Sequence, residues 1–161
     1  MKKIELTKGY HAKVDDDDFD RISKSSWYLH SMTKKSKLVY ASRKLPNYGK
    51  DVSMHRIIME AEKGQHVDHI NGDGLDNRKE NLRLCCHSEN LRNRGKNVNN
   101  TSGFKGVVKQ KNGKPWSAEI TVNYKHIHLG TFKTKIEAAK AYNVAALKYH
   151  GEFARLNVIP K

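Results

Sequence analysis

Cysteine is nearly absent from this 161-residue chain: there are two, Cys85 and Cys86, and they are adjacent. Neighbouring cysteines do not bridge each other usefully, so there is no disulfide framework, and a reducing compartment would keep both as thiols. The C-x-x-C pairs of a structural zinc site are missing too. A zinc-stabilised interaction module built on Cys85, Cys86 and His87 lacks a fourth ligand at local spacing. No stretch approaches the ~20 apolar residues needed to span a bilayer. The opening Met1-Lys2-Lys3-Ile4-Glu5 lacks the apolar run of a secretory signal. These absences lead to the expectation of a cytoplasmic protein without membrane contact.

Acidic residues are also scarce, 17 Asp and Glu against 31 Lys and Arg, for a net charge of +14. Residues 1–50 carry a balance of +6, residues 51–100 a balance of zero, and residues 101–161 a balance of +8. Two basic regions thus flank a neutral one, as expected of a chain that grips a polyanion at its flanks and works on it in the middle. The plainer alternative is a lysine-rich solvated surface.

The chain divides by pattern. Residues 1–50 alternate apolar and polar positions around Ile4, Leu6, Trp27, Leu29 and Leu38 to Ala41, a β-rich lead-in with an acidic turn at Asp15 to Asp18 and a turn at Pro46-Asn47-Tyr48-Gly49. Met54, Ile57, Ile58 and Ala61 fall at helical spacing, and Gly64 ends that helix. Residues 66–96 predict a ββα unit. A strand at Val67 to Ile70 is followed by an Asn/Asp/Gly loop from Asn71 to Asn77, a strand at Leu82 to Cys85, and a short helix capped by His87-Ser88 and ended by Gly95. The polar segment 96–102 reads as a linker. Beyond it come three strands, Lys105 to Lys109, Trp116 to Val122 and Lys125 to Leu129, broken at Asn112-Gly113 and Asn123-Tyr124. A helix from Lys135 to His150 follows, with Thr134 and Glu137 as a capping box. Its Ala138, Tyr142, Ala145 and Tyr149 share one face.

The ββα stretch holds a chemically coherent set: Asp68 and His69 at a strand end, Asn81 before the next strand, and Asn90 early in a helix. Phosphodiester hydrolysis needs an activated water and a stabilised leaving oxygen. A histidine can take the water's proton near neutral pH. A hard divalent cation on oxygen ligands, here Asp68 and the Asn90 amide, can draw off the charge developing at the phosphate. An amide at Asn81 can fix the imidazole's orientation. Because side chains alternate along a strand, Asp68 and His69 point to opposite faces. The alternative is loop capping by Asp68 and Asn81 and a helix-start role for Asn90, with no metal.

His66-Val67-Asp68-His69-Ile70-Asn71-Gly72-Asp73, Leu75-Asp76-Asn77-Arg78, Asn81-Leu82-Arg83-Leu84 and Ser88-Glu89-Asn90 resemble the HNH endonucleases of phages and mobile introns. The resemblance implies a ββα-metal fold in which His69 is the general base and Asn81 orients it. Asp68 and Asn90 then match the metal ligands of the subgroup with asparagine in the last histidine's place. Met54-His55-Arg56 matches a segment found just upstream in that family, with His55 structural or DNA-facing.

Residues 103–157 read alone as a basic three-stranded sheet backed by a helix, able to enter the major groove or, alternatively, to bind protein or support its neighbour. Gly103-Phe104-Lys105-Gly106-Val107, Trp116-Ser117-Ala118-Glu119-Ile120, Leu129-Gly130-Thr131-Phe132, Glu137-Ala138-Ala139-Lys140-Ala141-Tyr142 and Gly151-Glu152-Phe153-Ala154-Arg155-Leu156-Asn157 resemble the Apetala/ethylene-response-factor DNA-binding domain. The resemblance implies a DNA-reading sheet face, here Lys105, Lys109, Glu119, Thr121, His126 and His128, with Arg92 and Arg94 as further DNA contacts. Several arginines and a tryptophan of the plant proteins are absent, so their recognition sequence does not carry over.

Together these readings predict an α+β chain in two domains. Residues 1–98 form the β-rich lead-in and HNH nuclease domain, with its ββα core at 66–96, and residues 99–161 form the DNA-binding domain. The expected activity is Mg²⁺- or Mn²⁺-dependent cleavage of double-stranded DNA by a phage-encoded, homing-type enzyme, with a monomer favoured. The alternative is a non-catalytic DNA-binding regulator that keeps the HNH scaffold.

Overall fold

The computed structural model describes residues 1–31, 38–45, 51–110 and 115–160. The turns expected at Pro46 to Gly49 and Asn112-Gly113 lie outside the described residues. The architecture is α+β, with several small antiparallel sheets and helices packed on them. The chain forms two compact units, Met1–Asn90 and Leu91–Lys161.

In the first unit, β1 (Lys2–Glu5) and β2 (His11–Val14) pair in register from Lys2↔Val14 to Glu5↔His11. The acidic run expected as a turn is instead the start of a helix, α1 (Asp16–Ser23). Asp16, Asp17 and Asp18 occupy its first turn, where carboxylates offset the positive end of the helix dipole. Strands β3 (Tyr28–Ser31), β4 (Val39–Lys44) and β5 (Asp51–Ser53) form a second sheet in that order. Helix α2 (Met54–Ile58) is shorter than the apolar spacing predicts, because Glu60 turns to φ 50° and reverses the chain before Gly64. Then come β6 (His66–His69), a 3-10 turn (Lys79–Asn81), β7 (Leu82–Cys85) and α3 (His87–Asn93). One core of Ile4, Leu6, Val14, Ile22, Trp27, Met54, Ile58, Val67 and Leu82 joins every layer of this unit, so the lead-in strands and the ββα hairpin share their apolar interior.

In the second unit, β8 (Val107–Lys109), β9 (Trp116–Val122) and β10 (Lys125–Phe132) make an antiparallel sheet with β9 central. Asn123 and Tyr124 both take positive φ, 47° and 63°, at the β9–β10 turn. Both central residues at positive φ is the backbone twist that a two-residue hairpin favours. Helix α4 (Lys135–His150) starts at a complete Thr134/Glu137 capping box. Its buried face is Ala138, Ala139, Tyr142, Ala145, Ala146 and His150. Tyr149, expected on that face, is exposed, and His150 takes the place, its Nε2 3.1 Å from the Thr121 carbonyl oxygen. The segment read as a linker is ordered by its own side chains. Asn100 accepts from Gly103 N–H and donates to Phe104 O, and buried Ser102 donates to Phe104 O.

Candidate active site

The loop between β6 and the 3-10 turn is shaped by its short polar side chains. Asn71 Oδ1 accepts from Asp73 N–H at 2.7 Å and Asp73 Oδ1 accepts from Leu75 N–H at 3.0 Å, two successive local turns of the type Asn and Asp favour. Buried Asp76 is gripped by both Arg78 Nε (2.8 Å) and Nη2 (2.7 Å). The lead-in strand β2 braces the same loop. Lys13 N–H donates to Leu75 O, Asn77 N–H donates to Lys13 O, and Asp15 accepts from Lys79 N–H, all at 2.8 Å.

His69 ends β6 and is buried. Its Nε2 lies 3.3 Å from Asn77 Oδ1. With the amide so oriented, Nε2 carries the proton and Nδ1 is the basic nitrogen. Asn81, expected to orient this ring, reaches the loop instead: its Oδ1 accepts from Asn71 N–H at 3.0 Å and its Nδ2 donates to Asp76 O at 2.8 Å. The 3-10 turn aims the Asn81 amide at the loop backbone, so Asn81 holds the loop from which Asn77 meets the ring. Tyr40 of β4 and His55 of α2 complete the wall around the imidazole. The His55 ring meets His69 edge-on (centroids 4.9 Å, 80°), and Tyr40 tilts against both at 5.4 and 5.8 Å. His55 is therefore a structural neighbour of the imidazole.

Burial governs the charge state of both histidines. Desolvation first, then repulsion from His69 and Arg56, pushes His55 down to about 3. His69 is also lowered by desolvation, partly offset by Asn77 and nearby carboxylates. For His55 the folded value lies below the unfolded one near 6.5, so the folded state binds fewer protons. The stability this adds is fully present above pH 6.5 and drains away as pH falls from 6.5 toward 3, on the order of a few kcal/mol in total. His55→Phe should therefore flatten the melting temperature's acid dependence, leaving a shallower slope from His69. Thermal melts of both proteins between pH 4 and 8 read this directly.

A second dependence comes from Gly74. A Cβ there would stand 2.7 Å from the Tyr40 ring and against the Val39 carbonyl oxygen. Gly74→Ala should displace Tyr40 from His69, lower stability by roughly 1–3 kcal/mol and slow catalysis. Parallel melts and cleavage assays would measure it.

Asp68 lies on the other face of β6, as strand alternation predicts, directly across from Arg83 on β7. Arg83 donates to Asp68 Oδ2 from Nε (3.0 Å) and Nη2 (2.7 Å). Asn90 is half-buried on α3, held by its backbone N–H to Cys86 O. Its side-chain amide has no hydrogen bond among the described residues. A carboxylate and an uncommitted amide oxygen are the donors a hard divalent cation takes, with the rest of its shell left to water and phosphate. The described residues contain no cluster of three His, Cys, Asp or Glu able to hold a metal. Cys85 is buried, its thiol pushed up to about 11 by desolvation, and Cys86 is exposed.

On the second unit the expected sheet face divides in two. Glu119, Thr121, His126 and His128 share the open side, through the pairs His126↔Thr121 and His128↔Glu119. Thr121 Oγ1 contacts His126 Nδ1 at 3.2 Å, and Ser117 Oγ bridges Glu119 and His128. Lys109 pairs with Trp116 and so points to the α4 side, over the indole at 5.8 Å. Lys105 precedes the sheet and turns its ammonium onto the carbonyl oxygens of Arg92 (2.5 Å) and Arg94 (2.6 Å). Burial, with Arg155 and Arg94 nearby, pulls this amine down to about 8. Lys109 leaves the open face because alternation reserves it for Val108, Ser117, Glu119 and Thr121, and Lys105 leaves it because it lies before the first strand. Arg92 is half-buried and Arg94 exposed.

A family model described as HNH endonuclease matches residues 52–92, the stretch that carries His55, Asp68, His69, Asn81 and Asn90. Protein 3.8 of Escherichia phage T7 is 33% identical over 93 residues, covering 58% of this chain and 76% of that protein. The chain belongs to one family with protein 3.8 and carries an HNH endonuclease domain. An uncharacterized HNH endonuclease of Acanthamoeba polyphaga mimivirus is similar along 94% of the chain and 77% of its own length, at 28% identity. An AP2/ERF and B3 domain-containing transcription factor of Arabidopsis thaliana is 51% identical over 51 residues, 32% of this chain and 14% of that protein. The chain spans less than a fifth of the length of such plant relatives. No helix among the described residues is long and apolar enough to cross a membrane.

Proposed function

We propose that the protein is a metal-dependent endonuclease that hydrolyses double-stranded DNA, with the HNH hairpin as its catalytic centre. The observation that carries this reading is the buried imidazole of His69, set through Nε2 against Asn77 and lowered in pKa by desolvation, while Asp68 occupies the opposite face of the same strand. A neutral imidazole with an oriented basic nitrogen suits proton abstraction from water near neutral pH. Asp68 and Asn90 would hold a divalent cation, Mg²⁺ or Mn²⁺, which when bound supplies charge neutralisation at the scissile phosphate and the leaving oxygen. Asn77 keeps the ring's tautomer, Asn81 keeps the loop that carries Asn77, and His55 with Tyr40 excludes water from behind the ring.

The second unit is an AP2/ERF-type DNA-binding domain in this reading, which the local similarity to plant transcription factors supports. Glu119, Thr121, His126 and His128 face the duplex, and Arg92 and Arg94 add contacts. The two basic flanks make affinity fall steeply with salt. The likeness to T7 protein 3.8 supports a phage-encoded protein; in this reading it is a homing-type enzyme that works as a monomer in the cytoplasm of a bacterial host.

Digestion of supercoiled plasmid with Mg²⁺ and with EDTA tests the reading. Metal-dependent nicked or linear product is expected. A protein that retards DNA on a gel and never breaks it, at any divalent metal, is a regulator on an HNH scaffold and the nuclease assignment is wrong.

A further inference from the structure

Arg83 has no part in the roles assigned so far, yet it makes a close ion pair with Asp68, the proposed metal ligand. It stands directly across from Asp68 in the β6–β7 pairing and places two N–H groups on one oxygen, Oδ2, at 3.0 and 2.7 Å. The two side chains are only 12% and 6% exposed. A pair this enclosed is screened little by solvent, so its electrostatic effect is felt by anything else that approaches the carboxylate.

That arrangement has a consequence for a cation. A carboxylate that anchors a divalent ion works through its negative charge, and a guanidinium on the same group cancels that charge and repels the ion. The scissile phosphate changes the balance. It brings negative charge into the same space and offers oxygens that a guanidinium fork matches as well as it matches a carboxylate. Lysine, as a point charge without the fork, would make the exchange less well.

We propose that Arg83 couples metal binding to DNA binding: it holds Asp68 while the protein is free and passes to the phosphate when the duplex arrives, so that the cation binds tightly only in the DNA complex. The proposal rests on Asp68 being a metal ligand. It makes Arg83 a positioning residue that keeps the free enzyme low in bound metal. The expected sign is unusual, because removing a partner from the site should strengthen metal binding.

The experiment measures Mn²⁺ affinity of the full chain by electron paramagnetic resonance of free Mn²⁺, in a His69→Ala background that prevents turnover. It is run with and without a 30-base-pair duplex of arbitrary sequence at low salt. Arg83→Met should bind Mn²⁺ about tenfold or more tightly than the background protein without DNA, as loss of a neighbouring positive charge requires. With duplex present that difference should shrink to about threefold or less. Arg83→Gln, which keeps a hydrogen-bond donor for Asp68 and loses the charge, should behave like Arg83→Met and serves if the methionine protein does not fold. Arg83→Lys should stay as weak as the background protein. Equal or weaker Mn²⁺ binding by both neutral variants without DNA overturns the proposal. Asp68→Asn in the same background supplies the control. If it leaves Mn²⁺ binding unchanged with and without DNA, Asp68 is not a ligand and the underlying reading falls as well. If it abolishes binding while the neutral Arg83 variants bind no tighter, only the coupling is wrong.

Discussion

His69→Ala should reduce Mg²⁺-dependent plasmid cleavage by roughly 10²- to 10⁴-fold, the range a positioned general base contributes, with DNA affinity and its salt slope unchanged. The separation is expected because His69 is buried in the ββα hairpin, whereas most of the phosphate contacts in the proposed complex would come from surface Lys and Arg. Neither side chain in ring or hydrogen-bond contact with His69 from α2 or the loop is suited to replace it. The other imidazole in contact, His55, is itself buried, and its Nδ1 is enclosed without a hydrogen-bond partner. Asn77 carries no titratable group. His69→Gln, closer in volume, should melt near the wild-type temperature and be as inactive as the alanine protein, which separates lost chemistry from lost fold. A glutamine or alanine protein that cleaves at the wild-type rate assigns the proton to some other acceptor.

Gly106→Ala should unfold the second unit selectively. Gly106 sits at φ +71°, where any other residue is strained. A Cβ there would also overlap the Tyr142 ring and come within 2.6 Å of the Glu119 carbonyl oxygen. Tyr142 is itself buried at 2% exposure and anchors α4 to the sheet, so it has nowhere to retreat. Strain and overpacking together should remove about 3–5 kcal/mol. That is a large part of the total expected for a unit of this size, at ~0.05–0.15 kcal/mol per residue. The chain carries its own reporters, since Trp27 lies in the first unit and Trp116 in the second. In Trp116→Phe and Trp27→Phe backgrounds, fluorescence melts should show the Trp116 transition lowered or lost and the Trp27 transition unmoved. DNA affinity should fall with it. An unchanged Trp116 transition would mean that the sheet can shift enough to admit the methyl group.

The sequence made the ββα hairpin legible because its signals are local. Side-chain alternation separated Asp68 from His69, and the Asn/Asp/Gly run marked the loop between two short strands. The same locality served the Thr134/Glu137 cap and the three strands before it. What escaped were contacts set by register or tertiary approach. Arg83 meets Asp68 because four-residue strands pair His69 with Leu82, a pairing that a motif read in one dimension does not display. Asn77 rather than Asn81 touches the imidazole because a 3-10 turn rotates Asn81 inward, a one-turn difference invisible to spacing. The acidic run at Asp15 to Asp18 reads as a turn in the sequence and opens a helix in the structure. As a helix start the same charges are favoured, and buried Asp18 is paired with Arg21 at 2.8 Å and Lys79 at 3.1 Å. The resemblance places Lys105 on the DNA-reading sheet face, and the path of the backbone before the first strand turns its ammonium toward two carbonyls.

The bracing of the 71–77 loop by Lys13 and Asp15 gives the β-rich opening region a role that its own composition does not suggest. Lys13 closes two main-chain hydrogen bonds of that loop, at Leu75 O and Asn77 N–H, and Asp15 accepts from Lys79 N–H in the turn that follows, each across more than sixty positions of sequence. The recognisable motif is therefore not a self-sufficient cassette. Transplanted from residue 52 onward into another protein it would arrive with its loop unsupported. Recombination that preserved the activity would have to carry the first fifteen residues along with the hairpin.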